Sequence, residues 1–304
     1  MNIQPMLSGG VDRFIIEIQV YNTRGLESKY KKTILRKAVY GKSNTPSSLE
    51  CQVEDFSILS EGRTIDEISD EFVYKLKSSL KPVKKKSLNN KLIFSPTAFG
   101  ELLYYTLGQA ITGENIARGR SFLSDKIGGE IASERLSLID WGNSNNFISG
   151  RPFDGEGTST RKNIIVDRGV LKQAIYDIEW GLKTGLESTG NAQRSYYTLP
   201  SIGLNTIHIP ATSSNSLTHD ISKGYYIETI SGAHTSNSVT GDFGVVVVGG
   251  YLIMNGEISK PIYGPLISSS CISLLNSIVD VGGPEEQAAI NQTAVKFSPV
   301  LIEF

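Results

Sequence analysis

Side chains able to do chemistry are few in this 304-residue chain, and their spacing is poor for it. Three histidines are present: His208, His219 and His234. A hydrolytic zinc centre needs three protein ligands, commonly two from one helix or tight loop. His208 and His219 stand eleven residues apart across a proline and a serine-rich turn, so a centre built on them needs long-range convergence. Ser231 and His234 are close, but no GxSxG elbow surrounds the serine. No CxxC, phosphate-binding P-loop or EF-hand spacing occurs. Cys51 and Cys271 lie far apart with no partner spacing; they read as small buried hydrophobes of a reducing compartment.

Three polar loops hold the remaining candidates. RPFDGEGTSTR (151–161) sets Asp154 and Glu156 among glycines; GLESTGNAQR (185–194) carries Thr189, Asn191 and Arg194; SGAHTSNSVTGDF (231–243) carries His234, Thr235, Asn237 and Asp242. Loops of this composition expose backbone amides and carbonyls, which can bind an extended peptide. Turn geometry alone accounts for the same composition, with glycines at positive φ and Asx side chains capping local amides. Asp154 and Glu156 are open to acid–base work in principle. Two residues apart on a tight turn, they are better placed to cap amides or pair with an arginine.

These loops must be positioned by regular elements. RFIIEIQVY (13–21) alternates as a strand, and Thr33–Tyr40 and Leu49–Phe56 read as further antiparallel strands. In TIDEISDEFVYKLKSSL (64–80), Ile65, Ile68, Phe72, Leu76 and Leu80 mark one helical face; Thr64 and Glu67 form a capping box, and Glu71 and Lys75 an i,i+4 pair. KPVKKKSLNNK (81–91) reads as a solvated connector without aromatics for base stacking. Ile93 and Phe94 give a short strand, then Ser95-Pro96 opens an amphipathic helix that contains LLYYTLGQ (102–109). Asp167-Arg168-Gly169 and Asn255-Gly256 turn two hairpins, and a late helix is expected over about 266–279. No repeat and no βαβ rhythm is present. The class is α+β, mostly antiparallel sheets with a few packed helices, in two units: a shortened N-terminal/central α+β unit at 1–90 and a C-terminal domain at 91–304.

Composition sets the bounds. The chain is 39% apolar with net charge −1, enough for a proper core and no general pull toward nucleic acid or anionic membrane. Residues 1–92 hold 16 Lys/Arg against 11 Asp/Glu, the remainder 14 against 20, so the front is mildly basic and the rest acidic. The beginning, MNIQPMLSGG, carries no signal-peptide pattern, and FGVVVVGGYLIM (243–254) is short and glycine-broken, so a cytoplasmic protein is expected.

Six stretches in order resemble the TldD/PmbA family: FDGEGTSTR, GVLKQAIYD, GLESTGNAQR, HTSNSVTGDF, GYLIMNGEISKP and the closing SPVLIEF. The match covers about residues 90–304, and more weakly 10–85, where the usual beginning of the family's N-terminal domain is missing and the unit reads as curtailed. The family is named for modulation of DNA gyrase and is known for peptidase activity. Its TldD-like subunits carry HExxxH on a helix and a cysteine ligand near the C-terminus; its PmbA-like subunits, also called TldE, lack them and pair with the first kind. GRSFLSDKIGGEIASERLSLID (119–140) resembles a segment both kinds share. Laid on LLYYTLGQ, the two histidines fall on Tyr104 and Gln109 and the glutamate on Tyr105; no cysteine follows Gly283. The resemblance therefore implies no catalytic residue, no metal and no cofactor. It implies a heterodimer with a TldD-like zinc peptidase, the polar loops lining a chamber for an extended peptide. A homodimer or stand-alone peptide-binding homo-oligomer, and a lone metallopeptidase using His234 with neighbouring carboxylates, remain open. A direct gyrase or nucleic-acid role is disfavoured.

Overall fold

The computed structural model describes residues 5–43, 49–58, 62–88, 91–291 and 293–303. Residues 1–4, Asn89 and Asn90 of the connector, and Phe304 lie outside the described residues. The front of the chain forms β1 (Pro5–Tyr21), β2 (Glu27–Ser43), β3 (Glu50–Ile58) and α1 (Ile65–Ser78). Then come β4 (Val83–Lys84), β5 (Lys91–Phe94), α2 (Pro96–Ala110), α3 (Gly113–Ala117), β6 (Leu138–Trp141), β7 (Lys162–Asp167), β8 (Val170–Leu171) and α4 (Ile178–Thr184). After them follow β9 (Ala192–Gln193), β10 (Ser201–Ile202), β11 (Thr206–Ile209), β12 (Lys223–Ser231), β13 (Asp242–Met254), β14 (Glu257–Tyr263) and β15 (Leu266–Ser270). The chain closes with α5 (Cys271–Asn276), β16 (Ile278–Val281), β17 (Glu286–Ile290), β18 (Thr293–Phe297) and β19 (Val300–Glu303).

The architecture is α+β and largely antiparallel. β1, β2 and β3 form one meander, with α1 packed on its β2–β3 side. Ile68 and Phe72 of α1 are buried against Cys51 and Val53 in a small core of their own. The expected capping box is present: Glu67 N donates to Thr64 Oγ1 at 3.2 Å, and Thr64 N donates to the Glu67 carboxylate at 2.7 Å. Two larger sheets and a two-stranded pair, β9-β10, make up the rest. One runs β16-β19-β5-β12-β13-β14-β4, with β15 added to β13; the other runs β17-β18-β11-β6-β7-β8. Among the named strands, β5–β12, β4–β14 and β11–β18 pair in parallel.

Helix α2 packs against strands of both large sheets. Its sequence predicts an amphipathic helix, but Ala98, Phe99, Gly100, Leu102, Leu103, Thr106, Leu107, Gly108 and Ala110 are all buried, so apolar contact surrounds most of it. Phe99 stacks obliquely with Phe94 of β5 and edge-on with Phe297 of β18, linking the sheets through the helix. Gly100 permits the close approach, since a β-carbon there would lie 2.5 Å from Val295 Cγ1. Ser95 caps the start by accepting from Ala98 N at 3.1 Å, and Pro96 sits in the first turn as its fixed φ favours.

Both expected hairpin turns form, with Arg168-Gly169 (φ 44 and 82) and Asn255-Gly256 (φ 51 and 83) left-handed at both positions. Two expectations require correction. The connector holds a short strand, β4, which pairs with Ile262 and Tyr263 of β14. The helix expected over 266–279 is only six residues long, because Leu266–Ser270 pair with β13 and Ile278–Val281 with β19. Among the described residues no helix is long and apolar enough to cross a membrane.

Candidate functional site

Tyr104, Tyr105 and Gln109 lie on α2, which is buried along most of its length. Tyr104 and Tyr105 meet edge-on with ring centroids 5.0 Å apart, and Tyr105 meets the His234 ring edge-on at 6.3 Å. Asn291 Nδ2 donates weakly to the Tyr105 hydroxyl at 3.4 Å. One turn before Tyr105, burial pushes the Glu101 carboxyl up, and nearby His234 opposes that shift. Tyr104 and Gln109 instead line a recess of about 380 Å³ with Asn115, Gln193 and Ser201–Leu204.

The donors on α2 do not fit zinc. Zinc takes imidazole, thiolate or carboxylate, and here stand two half-buried phenols and an exposed carboxamide. His208 is held elsewhere, its Nδ1 2.7 Å from Lys296 O and its ring packed on Trp141 and Phe147. His219 is exposed beside Asp220. Cys271 is fully buried, and burial pushes its thiol up to about 12, far from a thiolate at neutral pH. No group of three or more histidine, cysteine, aspartate or glutamate side chains is arranged for a metal among the described residues.

Two candidates of the second loop, Asn191 directly and Thr189 through it, join a cluster around a carboxylate that sequence reasoning passed over. Asp140, on β6, is fully buried. Its Oδ2 accepts from Asn163 at 3.3 Å, Asn191 at 2.7 Å and Asn205 at 3.1 Å, all through side-chain Nδ2. Its Oδ1 accepts from the backbone N of Asn205 at 2.6 Å and of Thr206 at 3.2 Å. Burial holds the carboxyl above its usual range, and these donors offset only part of that rise. Every partner is a donor, so the ionised form is the one the site accommodates. Thr189 locks the same cluster, its Oγ1 donating to Asn191 Oδ1 at 2.6 Å and accepting from Tyr176 N at 2.7 Å. A charged residue inside the apolar run LSLIDW was the available signal.

Asp154 caps amides, as its turn position suggests: Oδ1 accepts from Glu156 N at 2.9 Å and Thr158 N at 3.0 Å, and Oδ2 from Ala192 N at 3.0 Å. It thereby ties loop 151–161 to loop 185–194. Glu156 accepts from Ile178 N at 2.9 Å, the first residue of α4. Asp154, Thr189 and Asn191 are all buried, whereas Arg194 is exposed at the loop edge. His234, Thr235, Asn237 and Asp242 form a separate exposed group beyond α2. Asn237 Oδ1 accepts from Val239 N at 2.9 Å, and Thr235 Oγ1 donates to Gly232 O at 2.8 Å.

A larger groove of about 1810 Å³ separates the front meander and α1 from the two large sheets. It reaches α2 only at Ser95, Thr97, Ala98 and Glu101. Lys75 of α1 pairs with Glu71 of its own helix at 2.7 Å and, across the groove, with Glu228 of β12. It is the greater volume, but the smaller recess is the one that contains Tyr104 and Gln109.

Residues 88–303 match the family described as the PmbA/TldA metallopeptidase C-terminal domain. An uncharacterized protein of Methanocaldococcus jannaschii is 32% identical over 98% of this chain and 69% of its own length. A metalloprotease TldD homolog of Buchnera aphidicola is 30% identical over 60% of this chain, which spans only 38% of that relative. The crystal structure of TldE from Thermococcus kodakarensis superposes with a TM-score of 0.87 at 26% identity, covering 98% of this chain and 67% of that one. With the matched domain spanning most of the sequence and the whole fold shared with TldE, the chain belongs to the PmbA/TldD family.

Proposed function

We propose that this chain is a metal-free, TldE-like subunit that pairs with a TldD-like zinc metallopeptidase in the degradation or processing of unfolded peptides. The observation that carries the reading is the chemistry of α2. Where a peptidase helix needs two imidazoles and a carboxylate, Tyr104, Gln109 and Tyr105 stand in the same order. A phenol titrates near pH 10 and a carboxamide not at all, so neither activates water at neutral pH. The helix around them is nevertheless buried along most of its length, which supports a retained scaffold with its reactive groups exchanged.

In this reading the residues up to about 90 form an N-terminal unit and 91–304 the domain that meets the peptidase. The polar loops around Asp154, Glu156, Thr189, Asn191 and Arg194, and those around His234, Thr235, Asn237 and Asp242, shape the shared chamber. The buried members act by holding loop shape, and the exposed ones by facing the peptide. A reducing, cytoplasmic setting agrees with the two free, buried cysteines.

The test is co-expression with a TldD-like subunit, size-exclusion chromatography, and peptide cleavage with each subunit omitted in turn. The reading expects one complex and cleavage only when the TldD-like chain is present. Cleavage by this chain alone overturns it.

A further inference from the structure

The geometry points to the recess beside α2 as a docking site for the main chain of an extended peptide, gripped by carboxamides and a phenol in place of a metal. The inference deepens the proposed function and rests on it for the source of the peptide. The recess, about 380 Å³, lies within the range of small-ligand sites. The Tyr104 hydroxyl and the Gln109 carboxamide line it, and neither has a hydrogen-bond partner among the described residues. Asn115 spends its Nδ2 on Gln109 O at 2.8 Å, and Gln193 its Nε2 on Leu204 O at 2.8 Å. Each therefore keeps its side-chain oxygen as an acceptor at the wall.

This donor and acceptor set fits an amide better than an ion. The one charged lining residue, Glu114, is paired with Arg118 at 3.3 Å, so neither sign of charge is left to select an ionic ligand. A carboxamide carries a donor and an acceptor side by side and can match the N–H and C=O of a peptide group. The recess also runs along β10, which has a neighbour, β9, on one side only. An extended segment lying beside Ser201 and Ile202 gains strand-like contacts there and places its amides toward Gln109. Each hydrogen bond formed replaces one made to water, so affinity is modest and depends on several acting together.

The test measures fluorescence polarisation of a labelled, acetyl- and amide-capped hexapeptide of alternating threonine and valine, with the full chain and no partner. Gln109 is exposed and the Tyr104 hydroxyl unpartnered, so Gln109→Leu and Tyr104→Phe leave folding intact. Binding is expected to weaken about tenfold in Gln109→Leu and about threefold in Tyr104→Phe. Replacing one peptide amide by an ester is expected to weaken binding to the wild type and to have little further effect in Gln109→Leu. Binding unchanged in the double variant, binding weakened instead by Glu286→Gln in the larger groove, or no binding at millimolar peptide overturns the inference. The assay omits the peptidase, so failure to pair and failure of this recess are separately visible.

Discussion

Replacing Asp140 by asparagine changes one atom and tests how the loops around the site are held. If the new carbonyl keeps the place of Oδ1, it still accepts from Asn205 N and Thr206 N. The new NH₂ then faces three side-chain N–H groups, those of Asn163, Asn191 and Asn205. None can simply flip. Asn191 also donates to Gly203 O at 3.0 Å and accepts from Thr189, while Asn205 donates to Gly190 O at 3.1 Å and accepts from Arg151 at 3.0 Å. Three bonds to a buried anion are lost, each worth about 1.5–3 kcal/mol, offset in part by the carboxylate desolvation that asparagine does not incur. The net cost is about 3–5 kcal/mol, a fall of roughly 6–20 °C in melting temperature for a domain of this size. Thermal and urea denaturation of wild type and Asp140→Asn read it directly. A loss below about 1 kcal/mol refutes the hub, because it means that the three asparagines find other acceptors at little cost.

Four further outcomes follow from the same packing. Gly100→Ala, whose β-carbon meets Val295 at 2.5 Å, is expected to destabilise by about 1–3 kcal/mol despite alanine's better helix propensity, measured by urea titration. Cys51 and Cys271 are both buried with thiols raised by burial, so an aromatic disulfide reagent at pH 8 is expected to titrate neither in the native chain and both in denaturant. Between pH 9 and 12 an unfolded Cys271 ionises while the native one keeps its proton, so stability falls with rising pH relative to Cys271→Ala by up to about 1.4 kcal/mol per pH unit. Lys75→Ala leaves Glu228 without its cation and Glu71 with Arg63 alone, and is expected to cost about 2–4 kcal/mol at pH 7. Burial raises Glu71, but Lys75 and Arg63 more than offset it and hold it below 4.5. That stabilisation is present above pH 4.5 and lost as pH falls through the lowered native value, so the gap between wild type and Lys75→Ala narrows in acid denaturation.

Local chemistry was legible where it decides local structure. The Thr64–Glu67 box, the Ser95-Pro96 start and the Asn255-Gly256 turn all stand where their side chains and allowed φ values place them. The stretch 266–279 was not, because Leu266, Ile267, Leu274, Leu275 and Ile278 satisfy a helical spacing while strand partners from β13 and β19 claim both ends. Tertiary pairing overrode periodicity there, and Ser270 became the cap of a shorter helix by accepting from Ser273 N at 3.2 Å. At the candidate site, α2 and the place of Tyr104, Tyr105 and Gln109 on it could be read from one segment. Asp140 could not, because Asn163, Asn191 and Asn205 reach it from 23, 51 and 65 residues away. The amide-capping role of Asp154 was readable from its turn, whereas its bond to Ala192 across loops was not.

The central claim is that α2 here carries no metal centre, and elemental analysis bears on it most directly. The chain is purified alone and beside a TldD-like zinc peptidase, and zinc per polypeptide is measured together with peptide cleavage. Both are expected to follow the partner, with the isolated chain holding zinc far below one per molecule and cutting nothing. Stoichiometric zinc on the isolated chain, lost along with cleavage in His234→Ala, contradicts the account.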